Sequence, residues 1–329
     1  MSPQFVSARA RVATLVALIA VAAAGAVVGV VVLQTRGEQT GVVGVEKPRP
    51  GHPPLFLDLG VRVDPEAQAL RRALQLYAQK QYEAARPIFA RYRSEQAQLG
   101  EAFATWPQGG LSRVKRIVAS HPSTGDAELA LALADLWAGR TADATAAFRA
   151  TRERHPDTQA AVDAADFLYP GPPGLPPFVP SFAPPTAIER LSPPQRLAAL
   201  ARAAARPDPR AKLLYGTALQ SLGRTVSAER EFVAAARLAP NDAEARVAAI
   251  IGGFDKARPQ ATFPRLGPLV RVFPHAPTVR FHLGLALIWI GQFRQARIEL
   301  RQAVAEEPGS PLARQAKILL ETLARSGTK

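Results

Sequence analysis

The sequence predicts an all-α protein: a helical-hairpin solenoid in two parts, preceded by one transmembrane helix. Three observations carry this. Pro240, Pro274 and Pro308 stand at a constant interval of 34 residues, a period typical of stacked two-helix units. Landmarks recur two periods apart: Gly216 as Gly284, Gly223 as Gly291, Ala228 as Ala296 and Ala235 as Ala303, with Phe232 answered by Leu300. Finally, Val12 to Leu33 contains no charged residue, and a run of that length can cross the hydrocarbon core as a helix.

In chain order, residues 1–11 form a short N-terminus in which Arg9 and Arg11 stand without any acid, which favours its retention in the cytoplasm. Residues 12–33 are the anchor. A cleavable signal peptide with Ala22-Ala23-Ala24 as its site is the competing reading, but the apolar run continues well past that point to Leu33. Either reading exports the rest of the chain. Residues 34–64, with Pro48, Pro50, Pro53 and Pro54, are expected to be a stalk.

Residues 65–169 carry the N-terminal repeats. Glu66 to Tyr92 supplies one hairpin, marked by Ala73, Tyr82, Ala85 and Phe89. A compressed pair follows, Leu99 to Trp106 and Leu111 to Ser120, joined by Pro107-Gln108-Gly109-Gly110. Between Pro122 and Pro156, Leu131, Ala132, Gly139, Ala144 and Phe148 mark a third hairpin. Residues 170–185 are too rich in proline for a helix or a central strand and favour extended polyproline conformation. Leu175, Phe178, Val179 and Phe182 leave two readings open: a spacer with incidental apolar residues, or a segment lying in a groove of the repeats.

Residues 186–329 hold the C-terminal repeats and a terminal capping helix. Lys212 to Leu222 and Arg280 to Ile290 have apolar residues at helical spacing, and each stops at a glycine suited to a left-handed turn. Small residues let the two helices of a hairpin approach, and each closing proline prevents the second helix from continuing. The unit from Ala243 to Ala276 keeps the length but loses the landmarks, and Pro259 and Pro264 shorten its helices. Tyr215-Gly216 to Pro240 and Leu283-Gly284 to Pro308 resemble the tetratricopeptide repeat (TPR), whose consensus has Leu-Gly, a turn Gly, then Ala, a large apolar residue, Ala and Pro at these intervals. The anchored arrangement resembles membrane-anchored bacterial TPR proteins. The resemblance implies a scaffold or adaptor on the extracytoplasmic side of the cell membrane.

Charge and composition exclude several functions. The chain has no cysteine, hence neither disulfides nor thiolate chemistry. Phosphate-loop, His-Glu-x-x-His and Gly-x-Ser-x-Gly patterns are missing, so no enzyme, cofactor or metal is expected. His121, His155 and His275 adjoin repeat-closing prolines, where a helix C-terminus favours them; His282 reads as a core or groove histidine. Of the net charge of +14, residues 186–329 contribute +11. Arg224, Arg230 and Arg237, like Arg294, Arg297 and Arg301, have the spacing of a solvated helix face.

The candidate site is a surface. In solenoids of this type the first helix of each hairpin lines a groove, which here comprises Leu213, Thr217, Val247, Ile251, Phe254, Phe281, Leu285, Ile288 and Trp289. Its apolar lining suits an amphipathic helix or an extended apolar peptide. The asparagine and lysine used by relatives that clamp a terminal carboxylate are missing. Trp137 stands where Trp289 does, two residues before the turn glycine, either as a second groove anchor or as core. The expected partner is a protein or peptide, with the membrane contacted by the N-terminal helix and nucleic acid disfavoured. Two alternatives are a basic module binding anionic lipid or polymer and an accessory subunit of an envelope or cytochrome assembly complex.

Overall fold

The computed structural model describes residues 47–120, 123–169 and 171–325. Among these, helices and short 3-10 turns are the regular elements, with no strand, and no helix is long and apolar enough to cross a membrane. The predicted N-terminus and span over 1–33 lie outside the described residues. Two compact units meet in sequence at Leu168 and Tyr169.

The N-terminal unit contains α1 (Pro65–Ala78), α2 (Tyr82–Phe89), α3 (Glu95–Ala104), α4 (Gly110–Ser120), α5 (Gly125–Trp137), α6 (Thr141–Arg154) and α7 (Gln159–Leu168). These form the three expected hairpins plus one further helix. Side-chain caps explain where several start: Asp64, Ser94 and Thr124 accept hydrogen bonds from Ala67, Ala97 and Ala127 amides, which satisfies donors that a first turn leaves open. The compressed pair is α3 and α4, joined through a 3-10 turn over Trp106–Gln108.

The C-terminal unit contains α8 (Thr186–Glu189), α9 (Pro193–Ala204), α10 (Pro209–Ser221), α11 (Thr225–Leu238), α12 (Ala243–Gly252), α13 (Phe263–Leu266), α14 (Leu269–Val272), α15 (Pro277–Trp289), α16 (Phe293–Glu306) and α17 (Pro311–Arg325). The period reappears as contacts. Gly216 of α10 faces the ring of Phe232 so closely that a Cβ would stand 2.5 Å from it, and Gly284 of α15 faces Leu300 in the same way. Lys212 pairs with Glu231 at 3.0 Å, and one double period later Arg280 pairs with Glu299 at 3.0 Å. The second helix of the degenerate unit is broken into a 3-10 turn, α13 and α14, as its prolines require. The terminal helix α17 buries Leu312, Ala316, Leu319 and Leu323.

The turns inside the hairpins share one geometry. Gly139, Gly223 and Gly291 have φ of 82°, 70° and 76°, and the amide after each bonds the carbonyl five residues back, for example Arg224 to Leu219 at 3.0 Å. The α1–α2 turn makes the same bond, Gln81 to Leu76 at 2.9 Å, but places Lys80 at φ 62° where the others have glycine.

For the proline-rich segments one expectation changes, and of the two readings left open for the other the docked one fits the structure. Over residues 47–64 the predicted stalk packs on the repeats instead of standing free of them: Leu55 and Leu59 are buried in the core of the N-terminal unit, and the Tyr77 hydroxyl donates to the Pro53 carbonyl at 2.6 Å. The apolar residues among the prolines have helices to bury against, so the chain docks. Residues 171–185 belong to the C-terminal unit, where Phe178 is fully buried and Val179 nearly so.

Candidate functional site

The first helices of the C-terminal hairpins, α10, α12 and α15, with Phe254 just past the end of α12, present the predicted apolar residues to one core. Leu213, Val247, Ile251, Phe254, Phe281, Leu285, Ile288 and Trp289 all belong to it, together with Phe178 and Val179 of the proline-rich segment. Thr217 stands half-buried on α10, its hydroxyl donating to Leu213. The face is therefore covered, and its occupant is the chain's own segment 171–185, hereafter the strap.

The hydrogen bonds of the strap follow from its conformation. An extended proline-rich chain makes no internal hydrogen bonds, so each buried amide needs a partner supplied from outside. Three side chains on three helices provide them. Phe178 N–H donates to Gln220 Oε1 at 2.9 Å, Val179 N–H to His282 Nε2 at 2.9 Å, and Ser181 N–H to Glu244 Oε1 at 2.8 Å. Carbonyls are met by donors: Lys256 Nζ reaches Pro172 O at 2.7 Å and Trp289 Nε1 reaches Gly174 O at 3.3 Å. The order of these contacts fixes the direction. The strap starts beside Trp289 and Gln220 at the C-terminal ends of α15 and α10. It finishes beside Glu244 at the start of α12 and Arg210 at the start of α10, whose guanidinium lies 5.1 Å from the Phe182 ring centre. It thus runs antiparallel to the first helices.

Packing secures the same segment. The Phe178 ring stacks on His282 with centres 5.1 Å apart and meets Phe232 edge-on at 5.3 Å. His282 is held in one tautomer: its Nδ1 lies 2.7 Å from the Thr278 carbonyl, which can only accept, so Nδ1 carries the proton and Nε2 is free to accept from Val179. Burial drives the imidazole pKa down to about 4, and the neutral ring is the form this contact requires. Burial also pushes the Glu244 carboxyl upward, against the lowering effect of the Ser181 hydrogen bonds.

The apolar lining was readable from helical spacing, but the polar partners were not. Gln220 on α10, Glu244 on α12 and Lys256 in the turn after α12 carry no motif, and their common role emerges only when the unit is folded. His282, read as core or groove, is both: fully buried, and bonded to the strap. Trp289 likewise combines both readings, being 6% exposed with its indole N–H on the strap. Trp137 in the N-terminal unit accepts the Arg49 amide at its carbonyl, 2.8 Å away, and carries the Arg49 guanidinium over its ring at 5.3 Å.

No family model and no curated protein matches the chain. Among solved structures it is similar to the C-terminal part of a TPR repeat-containing protein from Cytophaga hutchinsonii, at 14% identity over 75% of this chain and 98% of that one, with a TM-score of 0.27. A TPR protein of Thermus thermophilus gives 17% identity, 78% and 99% coverage and a TM-score of 0.25. The human IFIT1 dimer gives 15%, 84% and 67%, with 0.35. The TPR-like class of the fold rests on the hairpins, turns and small-residue contacts of the chain itself.

Proposed function

We propose that the chain is a membrane-anchored, TPR-like scaffold or adaptor that binds a protein or peptide partner through the first-helix face of its C-terminal unit. One observation carries this reading: that face already holds an extended apolar segment and meets three of its amides with side chains from three helices. Such a site recognises backbone by hydrogen bonds and side chains by burial, the division of labour found where extended peptides are bound. The apolar run over 12–33 supplies the anchor and its flanking Arg9 and Arg11 the orientation, which puts the repeats on the extracytoplasmic side.

A second reading is favoured by charge. Arg230, Arg237, Arg294 and Arg301 are exposed on second helices of the C-terminal unit, in a segment with 22 basic and 11 acidic residues, which suits an anionic lipid or envelope polymer. A photoactivatable residue placed at Thr217, and separately at Arg230, distinguishes the two in intact membranes. The scaffold reading expects one protein cross-linked from Thr217 at both low and high salt, because burial is not screened. Cross-links from Arg230 alone, lost at high salt, would replace it with the basic tether.

A further inference from the structure

The two proline-rich segments are versions of one motif. Gly51-His52-Pro53-Pro54-Leu55-Phe56 aligns with Gly174-Leu175-Pro176-Pro177-Phe178-Val179, and the correspondence is conformational as well as chemical. Both glycines have positive φ, 77° and 70°. The first apolar residue after Pro-Pro is buried in each, Leu55 at 8% exposure and Phe178 at 0%. Seven residues after the glycine, the Asp58 amide donates to Asp126 Oδ2 at 3.1 Å and the Ser181 amide to Glu244 Oε1 at 2.8 Å. Those carboxylates both stand in the first turn of a first helix, α5 and α12. Eight residues after the glycine comes another apolar side chain, Leu59 or Phe182. Each segment also begins beside a tryptophan that ends a first helix, Trp137 or Trp289, and so both run antiparallel to the helices that hold them.

Two unrelated linkers would not share glycine conformation, buried position, amide register and carboxylate partner. A site that selects these features would impose all four. We propose that the first-helix face of each unit is a binding site for an extended segment of the pattern Gly-x-Pro-Pro followed by two apolar residues, and that each strap is its intramolecular occupant. The N-terminal site is thereby a second site, built on Tyr77, Asp126 and Trp137. The partner is a protein presenting a segment of this pattern, which binds by displacing a strap. This rests on the peptide-binding reading of the C-terminal unit and adds the identity of the ligand. The argument for the ligand is the occupant itself: few amides, placed where the face has acceptors, and rings placed where it has space.

Tethering gives a strap a high effective concentration, so a free peptide competes poorly until the strap is weakened. Proline at 179 and 181 removes the two amides bonded to His282 and Glu244 while keeping an extended chain. The full chain in detergent, wild type and Val179→Pro/Ser181→Pro, is titrated with fluorescent peptides copying 171–185 and 47–59, a scrambled 171–185 and an unrelated amphipathic helix. The proposal expects the variant to bind both strap peptides on the order of tenfold more tightly than wild type, with the scrambled peptide failing to compete. Equal binding of the scrambled peptide overturns it. Binding of the amphipathic helix without the strap peptides overturns the motif but leaves the peptide-binding reading standing, and binding of none overturns both. If the variant loses its helical circular dichroism, Ser181→Pro alone replaces it, since that change removes the strap's contact with Glu244 and leaves every residue of the face intact. Dimers that form by exchange of straps between chains would show the second occupant to be another copy and overturn the separate partner.

Discussion

Within the C-terminal unit, His282 ties the strap to proton concentration. Its imidazole is neutral when folded, with a pKa near 4 against an ordinary 6.5. Between those values the unfolded chain binds more protons than the folded one, so the stabilisation is complete above about pH 6.5 and is lost as pH falls toward 4, by about 3 kcal/mol in all. Urea unfolding of the C-terminal unit at pH 7 and pH 5 measures the loss, and His282→Gln, which keeps an acceptor but does not titrate, is expected to flatten it. Asp126 in the N-terminal unit has the opposite sign. Burial raises its carboxyl to about 7, with Asp58 and Glu95 adding to the rise. The folded form then binds more protons between pH 3.8 and 7, and stability falls as pH rises through that window. Asp126→Asn is expected to stabilise this unit at pH 8 and to change it little at pH 4, as read from the urea midpoint.

Among the elements, the hairpins show what sequence can and cannot reveal. Turn glycines, small-residue contacts and the broken middle unit follow from local chemistry, and Gly139, Gly223, Gly291, Pro259 and Pro264 marked them. The α1–α2 turn is the exception, since Lys80 occupies a left-handed position with no residue type to signal it. Lys80→Gly is expected to raise stability by about 0.5–1 kcal/mol, because the left-handed penalty removed exceeds the entropy glycine adds. Gly216→Ala should act in the other direction and cost about 1–3 kcal/mol, as its Cβ would meet the buried Phe232 ring at 2.5 Å. Thermal midpoints of the two variants check both signs. The straps were the least legible elements. Proline-rich composition looks the same for a solvated spacer and for a docked chain, and what separates them here is Gln220, His282 and Glu244, scattered over three helices. Aligning the two Gly-x-Pro-Pro stretches with each other would have been the available signal.

For the whole molecule, the chain reads as two solenoid units built on one plan, each with a proline-rich strap ahead of its hairpins and held against their first helices. That plan places the predicted apolar groove under a segment of the chain itself, so access to it depends on how readily the strap leaves. Asp126 and His282 give contributions of opposite sign, each set against a group of the other sign in its own unit, His52 in that of Asp126 and Glu244 in that of His282, so Asp126→Asn and His282→Gln are expected to shift unit-resolved hydrogen exchange between pH 5 and pH 7 in opposite directions. A C-terminal first-helix face that holds an exchangeable extended segment leaves its mark on amide exchange of Phe178, Val179 and Ser181 in the full chain. Exchange of these amides well ahead of those in α10 and α15, through local opening of the strap, is the predicted result. Exchange at the same rate as the helices, only through global unfolding, would make the strap a permanent part of the core and contradict an exchangeable segment.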